Sequence, residues 1–376
     1  MDFNMYYKLF ANCIPINGYS RSLIIDLQRR RYRFIPNDLF LILTKFHGNS
    51  VNQIKQSYNN VFDSIIEEYF QILNKEEMIF FVKSKSELKR FLEINYQFSN
   101  PFRISNSIID IDKIENITSE IVQQYDDLNI INLQIRCFSD TNLQELIYTY
   151  QMFEETIVSN IELIVRYSDL FEINIIQSEI EKLSKLTRIV FHSSPIQKMF
   201  KLTSQRDILY LKKDCGNPNK CGQINIENFC LSYKYYAESN SLNTCLNRKI
   251  CIDSDGYIKN CPSMKHHYGH ISDTTLAEAI EKPGFKDCWF IKKDDIDVCQ
   301  DCEFRHICTD CRAFIKDPNN IYSQPAKCGY NPYIAKWQNE EGWISVEQWR
   351  TENPGWEEQA IELRELNKKF VNSNNE

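Results

Sequence analysis

Eight cysteines in the last third of the chain have a spacing that suits metal binding. They are Cys245, Cys251, Cys261, Cys299, Cys302, Cys308, Cys311 and Cys328. Two of the pairs, Cys299 with Cys302 and Cys308 with Cys311, are separated by only two residues, so both sulfurs of a pair can reach one metal. Thiolates of this kind suit Zn²⁺ or iron–sulfur clusters, and eight thiolates can complete two four-sulfur sites.

The order of these cysteines resembles that of the SPASM domain, the C-terminal domain of many radical-SAM enzymes that modify peptides. The resemblance is carried by Gly256 shortly before Cys261, then by Cys-x2-Cys-x5-Cys-x2-Cys, and then by the final Cys328. The family usually has three residues in the last gap of the four-cysteine run, where this chain has two. The resemblance implies two auxiliary [4Fe–4S] clusters with crossed ligation.

The same resemblance assigns four thiolates to each cluster. The first cluster would be held by Cys245, Cys251, Cys261 and Cys311, and the second by Cys299, Cys302, Cys308 and Cys328. Cys251 is the weakest assignment because many SPASM domains vary there, and Cys221 or Cys230 could supply that ligand instead. Zinc at the same thiolates is the alternative. Crossed ligation would tie the two halves of the segment together, so loss of the clusters should unfold it.

Three stretches narrow the resemblance to the grasp-with-spasm subfamily. They are Asn-Cys-Pro-Ser-Met at 260–264, the run at 302–314 and Lys-Cys-Gly-Tyr-Asn-Pro-Tyr at 327–333. Proteins of that subfamily are encoded beside an ATP-grasp ligase and a short precursor peptide. The resemblance therefore implies a precursor peptide leader and an ATP-grasp ligase as partners in ribosomal peptide (RiPP) maturation.

One motif of radical-SAM enzymes is missing, because no Cys-x3-Cys-x2-Cys occurs in the chain. The only other trio, Cys215, Cys221 and Cys230, has the wrong spacing for that loop. S-adenosylmethionine is therefore not expected as a cofactor, and no catalytic residue can be assigned. Two alternatives stay open: a radical enzyme with an atypical primary cluster on this trio, and a metal-stabilised scaffold or redox sensor.

Composition limits the class of protein. The chain has 376 residues and a formal net charge of −7, which disfavours nucleic acid as a partner because such binding depends on neutralising phosphates. The N-terminal residues do not form a basic and then apolar targeting segment, and no apolar window is long enough for a membrane span. We expect a cytoplasmic protein, in which fourteen cysteines favour metal over disulfides.

Hydrophobic periodicity divides the chain into four segments of an α/β protein. Strands at 5–13, 21–34 and 78–82 around three helices predict a winged-helix-like, leader-binding domain at 1–90. Strands at 108–111, 133–138, 161–165, 188–191 and 224–226 alternate with helical patterns, which predicts a degenerate partial (β/α) barrel at 100–235. The cysteine-rich SPASM domain covers 240–335, and a helical extension covers 336–376.

Other residues could carry chemistry, although each has a plainer interpretation. Asp110 and Asp112 alternate on one strand and could do acid–base work, or they are solvated charges. His192 ends a strand, His266, His267 and His270 follow the first cysteines, and His306 lies between two of them. The run Arg29 to Arg33 could suit an acidic leader strand, or it is a solvated rim.

Overall fold

The computed structural model describes residues 2–112 and 117–373, with side chains as far as Leu366. The strands are β1 Tyr6–Leu9, β2 Cys13–Ile16, β3 Ser22–Asp26, β4 Arg31–Ile35, β5 Ile79–Val82, β6 Asn106–Ile111, β7 Asn132–Cys137, β8 Asn160–Arg166, β9 Leu186–His192, β10 Lys198–Lys201, β11 Asp207–Tyr210, β12 Lys249–Ile252, β13 Ile258–Lys259, β14 Tyr330–Asn331 and β15 Lys336–Trp337. The helices are α1 Asn37–Lys45, α2 Val51–Ser57, α3 Asp63–Lys75, α4 Lys85–Leu88, α5 Ser119–Asp127, α6 Leu143–Met152, α7 Ile173–Lys182, α8 Tyr233–Ser239, α9 Leu276–Glu281, α10 Val346–Glu352 and α11 Trp356–Ser373.

The N-terminal part contains a three-stranded antiparallel sheet in the order β2-β3-β4, followed by α1, α2 and α3. β5 returns to pair with β1. The helices bury apolar faces that include Phe40, Ile54 and Phe70. α2 starts at a capping box in which Ser50 and Gln53 bond each other's backbone.

Two strands predicted in this part are each divided in two. The prediction of one strand at 5–13 is wrong because the chain turns between β1 and β2, where the Cys13 N–H donates to the Phe10 carbonyl at 2.8 Å. The stretch 21–34 contains both β3 and β4, joined by a turn in which Arg30 has a φ of 54°. Apolar residues continue through both turns, so alternation alone does not show them.

The central element is an eight-stranded sheet in the order β10-β11-β9-β8-β7-β6-β12-β13. The strands from β11 to β12 run parallel to one another, and β10 and β13 are antiparallel at the two edges. The chain is thus a mixed α/β protein with a large parallel sheet, as the alternation of strands and helices predicted. β12 and β13 come from the cysteine-rich segment, so that segment shares the sheet.

A row of aliphatic side chains crosses this sheet and anchors its register. The row consists of Ile252, Ile109, Ile135, Leu163, Ile189 and Ile208, which are paired strand by strand. Each is at most 4% exposed. The row therefore marks a fully buried face of the sheet, whereas Ile108, Gln134 and Ile164 on the opposite face are only partly buried.

The predicted strand at 224–226 is not observed. Ile224 makes only an isolated bridge with Cys328, and Ile226 begins a short 3-10 helix. The last parallel strand before α8 is instead β11, which the prediction missed because β10 and β11 are short and flanked by lysines. Of the helices in the described ranges, none combines the length and apolarity that crossing a bilayer requires.

Asp110 and Asp112 do not form a carboxylate pair. Asp110 is 1% exposed and accepts two bonds from Arg136 on β7, at 2.5 and 2.6 Å. Asp112 lies beyond the end of β6 and is exposed. The plainer interpretation therefore holds for Asp112, while Asp110 balances a buried guanidinium between neighbouring strands.

We expect Asp110→Asn to lower the free energy of unfolding by about 3–5 kcal/mol, because it leaves the buried Arg136 charge without a carboxylate. Urea denaturation of the full chain measures this. The matched control is Asp112→Asn, whose exposed side chain should change stability by no more than about 0.5 kcal/mol. Equal stability of the two variants would contradict a structural role for the Asp110–Arg136 pair.

Candidate metal centre

Four of the predicted ligands border a single pocket. These are Cys299, Cys302, Cys308 and Cys328, which we call the second thiol group. The thiols also affect one another electrostatically. Cys308 and Cys328 raise the pKa of Cys299, and Cys299 and Cys308 raise the pKa of Cys302. The grouping of these four in space is the one that the SPASM resemblance implied.

A lysine lies inside this group, and no sequence motif predicts it there. Lys293 is 5% exposed, and its Nζ is 3.7 Å from the Sγ atoms of both Cys299 and Cys308. Burial lowers the pKa of Lys293, but Cys299, Cys308 and Asp310 outweigh that effect and the pKa is raised. The ammonium is therefore kept charged beside the sulfurs.

The remaining predicted ligands form a first thiol group of Cys245, Cys251, Cys261 and Cys311. Cys251 lies on β12, and among the thiols Cys261 raises its pKa the most. Among the cysteines, Cys245 raises the pKa of Cys261 and that of Cys311 the most. This group also has a lysine, because the Nζ of half-buried Lys249 is 3.6 Å from Cys245 Sγ.

The two groups are crossed along the chain. Cys308 and Cys311 are separated by two residues, yet Cys308 lines the pocket of the second thiol group, whereas the Cys311 sulfur lies beside Gly222, outside that lining. A zinc ribbon would instead bring both members of this bite onto one ion. The crossed arrangement thus favours two separate four-thiol sites over one site built from adjacent bites.

Cys221 is a fifth thiol beside the first group. It is exposed, and it raises the pKa of both Cys261 and Cys311. Cys221 also raises the pKa of Cys215. The hydrogen bonds described for Cys230 are to Ile307 and Ser232. The described contacts therefore link Cys221 to the first group and do not gather Cys215, Cys221 and Cys230 around one point.

The buried thiols are poor nucleophiles. Burial raises the pKa of Cys299 to about 12 and that of Cys308 to about 11. Burial also raises the pKa of Cys261 to about 12 and moves that of Cys251 upward. Thiols of this kind become thiolates only when a cation compensates them, which disfavours covalent catalysis and suits metal binding.

The donor atoms of both groups are thiol sulfurs, which limits the cofactors that these residues fit. Within the described ranges, no three His, Cys, Asp or Glu side chains converge closely enough to enclose a single metal ion. A zinc ion needs sulfurs at about 2.3 Å from one point. A four-iron cluster takes one thiolate on each of its four irons, so four thiols around one pocket also supply a complete ligand set for a cluster.

Three buried charges hold the segment that carries the second group. Asp301 accepts both bonds of a pair from Arg364 of α11, at 2.6 and 2.7 Å. Glu303 accepts from Arg21 at 2.7 Å, near the start of β3. Arg305 donates to the Asn17 side chain at 2.8 Å. The thiol segment is thus fixed both to the N-terminal sheet and to the last helix.

The backbone just before Cys299 is strained. Val298 is a buried β-branched residue with φ 66° and ψ −44°, and the Cys299 N–H donates to the Asp297 carbonyl at 2.7 Å. This is the geometry of a γ-turn that such residues rarely adopt. Two bonds from Arg350 hold Asp297, at 2.8 and 3.0 Å, and so stabilise the turn that orients Cys299.

The histidines do not contact sulfur in the bonds that the structure describes. His306 bonds Ser239, and burial lowers the pKa of His306 to about 4, so it is neutral. His270 bonds Ser272 and the Asp255 carbonyl, while His266 contacts Tyr268 edge-on and His267 lies tilted against Tyr257. His192 is buried beside Ser193, and burial lowers its pKa.

One edge of the N-terminal sheet is suited to strand addition. Proline has no N–H, so the Pro15–Ile24 pair between β2 and β3 cannot be hydrogen-bonded, and Ile24 must bond Arg33 on β4 instead. The backbone groups of Tyr32 and Phe34 therefore point away from β3, toward an edge where no further strand is paired in the described sheet. The β2 edge is blocked by Pro15 itself.

The basic run on β4 is not a free positive patch. Arg29 pairs with Asp26 and Glu77, and Arg31 and Arg33 pair with Glu76. The expectation that this run suits an acidic leader is therefore not supported by its pairing. The other face of β4 is aromatic, because Tyr32 and Phe34 contact the ring of Phe304 with centroids 5.8 and 5.7 Å apart.

Comparisons with known proteins found only solved structures of low similarity. No protein-family model and no curated protein matches the chain. Solved structures of Streptococcus suis SuiB align at low similarity. The structure bound to S-adenosylmethionine has a TM-score of 0.29 and 12% identity, over 82% of this chain and 96% of SuiB. The structure bound to precursor peptide SuiA has a TM-score of 0.28 and 10% identity, over 85% and 98%.

The fourth ligand of the first group can be identified by substitution. We expect Cys251→Ser to remove about four irons per chain, because Cys251 is buried against Cys261. Cys221→Ser should leave the iron content unchanged. Iron and sulfide analysis of anaerobically purified protein measures both variants, and the opposite result would assign the ligand to Cys221.

Proposed function

We propose that this chain is a ribosomal peptide maturation component that binds a precursor peptide and two [4Fe–4S] clusters. The observation that carries the proposal is the crossed division of Cys308 and Cys311 between two thiol groups, each with a lysine at its sulfurs. That division matches the SPASM resemblance, and the buried lysines suit anionic thiolate sites.

The chain's own residues would hold the clusters. The first thiol group would bind one cluster with Lys249 beside it, and the second would bind the other with Lys293 beside it. When bound, such clusters can carry single electrons and cross-link the chain. Because Cys251 lies on β12 of the large sheet, the first cluster would also tie the cysteine-rich segment to that sheet.

The outer edge of β4 would bind the precursor peptide as an added strand. Its outward backbone groups, at Tyr32 and Phe34, supply the hydrogen bonds, and Phe34 is 39% exposed. Peptide side chains on the aromatic face would be apolar, since they meet the rings of Tyr32 and Phe34. In this proposal residues 1–90 form the winged-helix-like recognition domain.

The other parts of the proposal follow from the grasp-with-spasm resemblance. Residues 100–235 would be a degenerate partial barrel, 240–335 the SPASM domain and 336–376 its helical extension. An ATP-grasp ligase would act beside the chain in the cytoplasm. We do not assign S-adenosylmethionine chemistry, because the chain lacks the three-cysteine loop and Cys230 has its described contacts elsewhere.

Metal analysis tests the cofactor. We expect about eight irons and about eight sulfides per chain in anaerobically purified protein, with a broad visible absorption that dithionite bleaches. Chelation or oxidation of the clusters should also unfold the cysteine-rich segment, measured by tryptophan fluorescence. Two zinc ions and no iron would overturn the iron–sulfur assignment, and about twelve irons would indicate a third cluster on Cys215, Cys221 and Cys230.

Binding of the precursor peptide tests the edge. We expect Phe34→Pro to weaken binding of the synthetic precursor encoded beside the chain by about tenfold relative to Phe34→Ala, measured by calorimetry. Both variants lose the ring, but only proline removes the outward N–H and obstructs strand addition. Iron content of the two variants serves as the folding control.

Two results would contradict the proposal that the precursor peptide binds at the β4 edge. If wild-type protein does not bind the precursor, then a metal-stabilised scaffold or redox sensor becomes the better description. If Phe34→Pro and Phe34→Ala bind equally well, then the peptide lies elsewhere and the β4 edge is not its site.

A further inference from the structure

The buried charges around the second thiol group do not balance among themselves. Lys293 and Arg312 are both cations, at most 5% exposed, and both lie near a single carboxylate, Asp310. Arg312 bonds Asp310 at 2.7 Å, Lys293 Nζ is 3.7 Å from it, and Asn243 donates to its other oxygen at 2.6 Å.

The other buried ions of this segment have partners of their own. Glu303 is engaged by Arg21, and Arg305 by Asp294 at 3.0 Å. Two cations and one anion therefore leave one positive charge without a carboxylate in the described surroundings. A buried charge needs an opposite charge or strong hydrogen bonds, and the sulfurs of Cys299 and Cys308 lie as close to the Lys293 Nζ as Asp310 does, at 3.7 Å.

We infer that Lys293 is a positioning residue that compensates the charge of the second cluster and raises its reduction potential. This inference depends on the proposed iron–sulfur assignment. A four-iron cluster with four thiolates has a net charge of −2 when oxidised and −3 after it accepts one electron. A fixed ammonium stabilises the more negative state more strongly, so the reduction becomes easier.

Lys249 gives an internal reference for the same effect at the other site. Its Nζ approaches Cys245 Sγ at 3.6 Å, but the side chain is only half-buried, so solvent screens its charge more. Substitution of either lysine should therefore alter a different one of the two cluster potentials, with the larger change at the second cluster.

The experiment is a dye-mediated redox titration of the anaerobically reconstituted full chain, with dithionite as the reductant. We expect Lys293→Met to lower the potential of one of two one-electron waves. At a fixed potential, the ratio of reduced to oxidised cluster should fall at least tenfold, which corresponds to about 59 mV. Lys249→Met should shift the other wave.

Two control variants separate charge from shape. Lys293→Arg keeps the charge and should retain the wild-type potential. Lys292→Met removes the preceding lysine, whose Nζ donates to the Asn240 carbonyl, and should leave both waves unchanged. If Lys293→Met loses the iron of one cluster while Lys293→Arg retains it, charge compensation is supported through metal content instead.

The failures are distinguishable. Two waves with an unchanged potential in Lys293→Met would overturn the role of Lys293 and leave the iron–sulfur assignment intact. Loss of iron in both Lys293→Met and Lys293→Arg would also overturn it, because shape and not charge would then be decisive. A redox-silent, zinc-loaded wild type would overturn both the inference and the cluster assignment on which it depends.

Discussion

The burial of charged side chains in the segment 299–312 constrains the rest of the structure. Asp301, Glu303, Arg305, Asp310 and Arg312 are each at most 4% exposed, so every one of them must meet a partner inside the protein. Asp310 and Arg312 pair with each other, whereas Asp301, Glu303 and Arg305 take partners from distant parts of the chain. This segment can therefore be buried only if the N-terminal sheet, the thiol groups and the last helices come together at the same place.

That requirement explains features that look unrelated. Gly18 has no side chain because an added Cβ would lie 2.8 Å from the backbone N of Glu303, where the β2–β3 loop is packed against the segment. Val298 adopts a strained backbone because Arg350 of α10 fixes Asp297 next to it. Both features adjust the backbone around the position of Cys299, and the surrounding ion pairs stabilise them.

The sequence could predict what depends on local pattern. The α/β class and the strands β6 to β9 follow from apolar runs that alternate with helical periodicity. The assignment of eight thiols to two clusters, taken from the SPASM resemblance, stays a prediction, and four of them border one pocket. Lys293 and the ion pairs could not be predicted, because Glu303 meets Arg21 across 282 positions and lysines are ordinarily exposed. The pairing of Arg31 and Arg33 with Glu76 was hidden for the same reason.

Phe304 connects the two candidate sites. Its ring contacts Tyr32 and Phe34 of β4, and the same residue lines the pocket of the second thiol group. It lies between Glu303 and Arg305, whose ion pairs prevent it from moving independently of the thiol segment. A peptide strand added to β4 would pack against Phe34, whose ring contacts the buried residue that also borders the thiols. Peptide binding and the cofactor state would then be coupled through this one ring, because a shift of the segment that disturbs the thiols also changes the surface that the peptide meets.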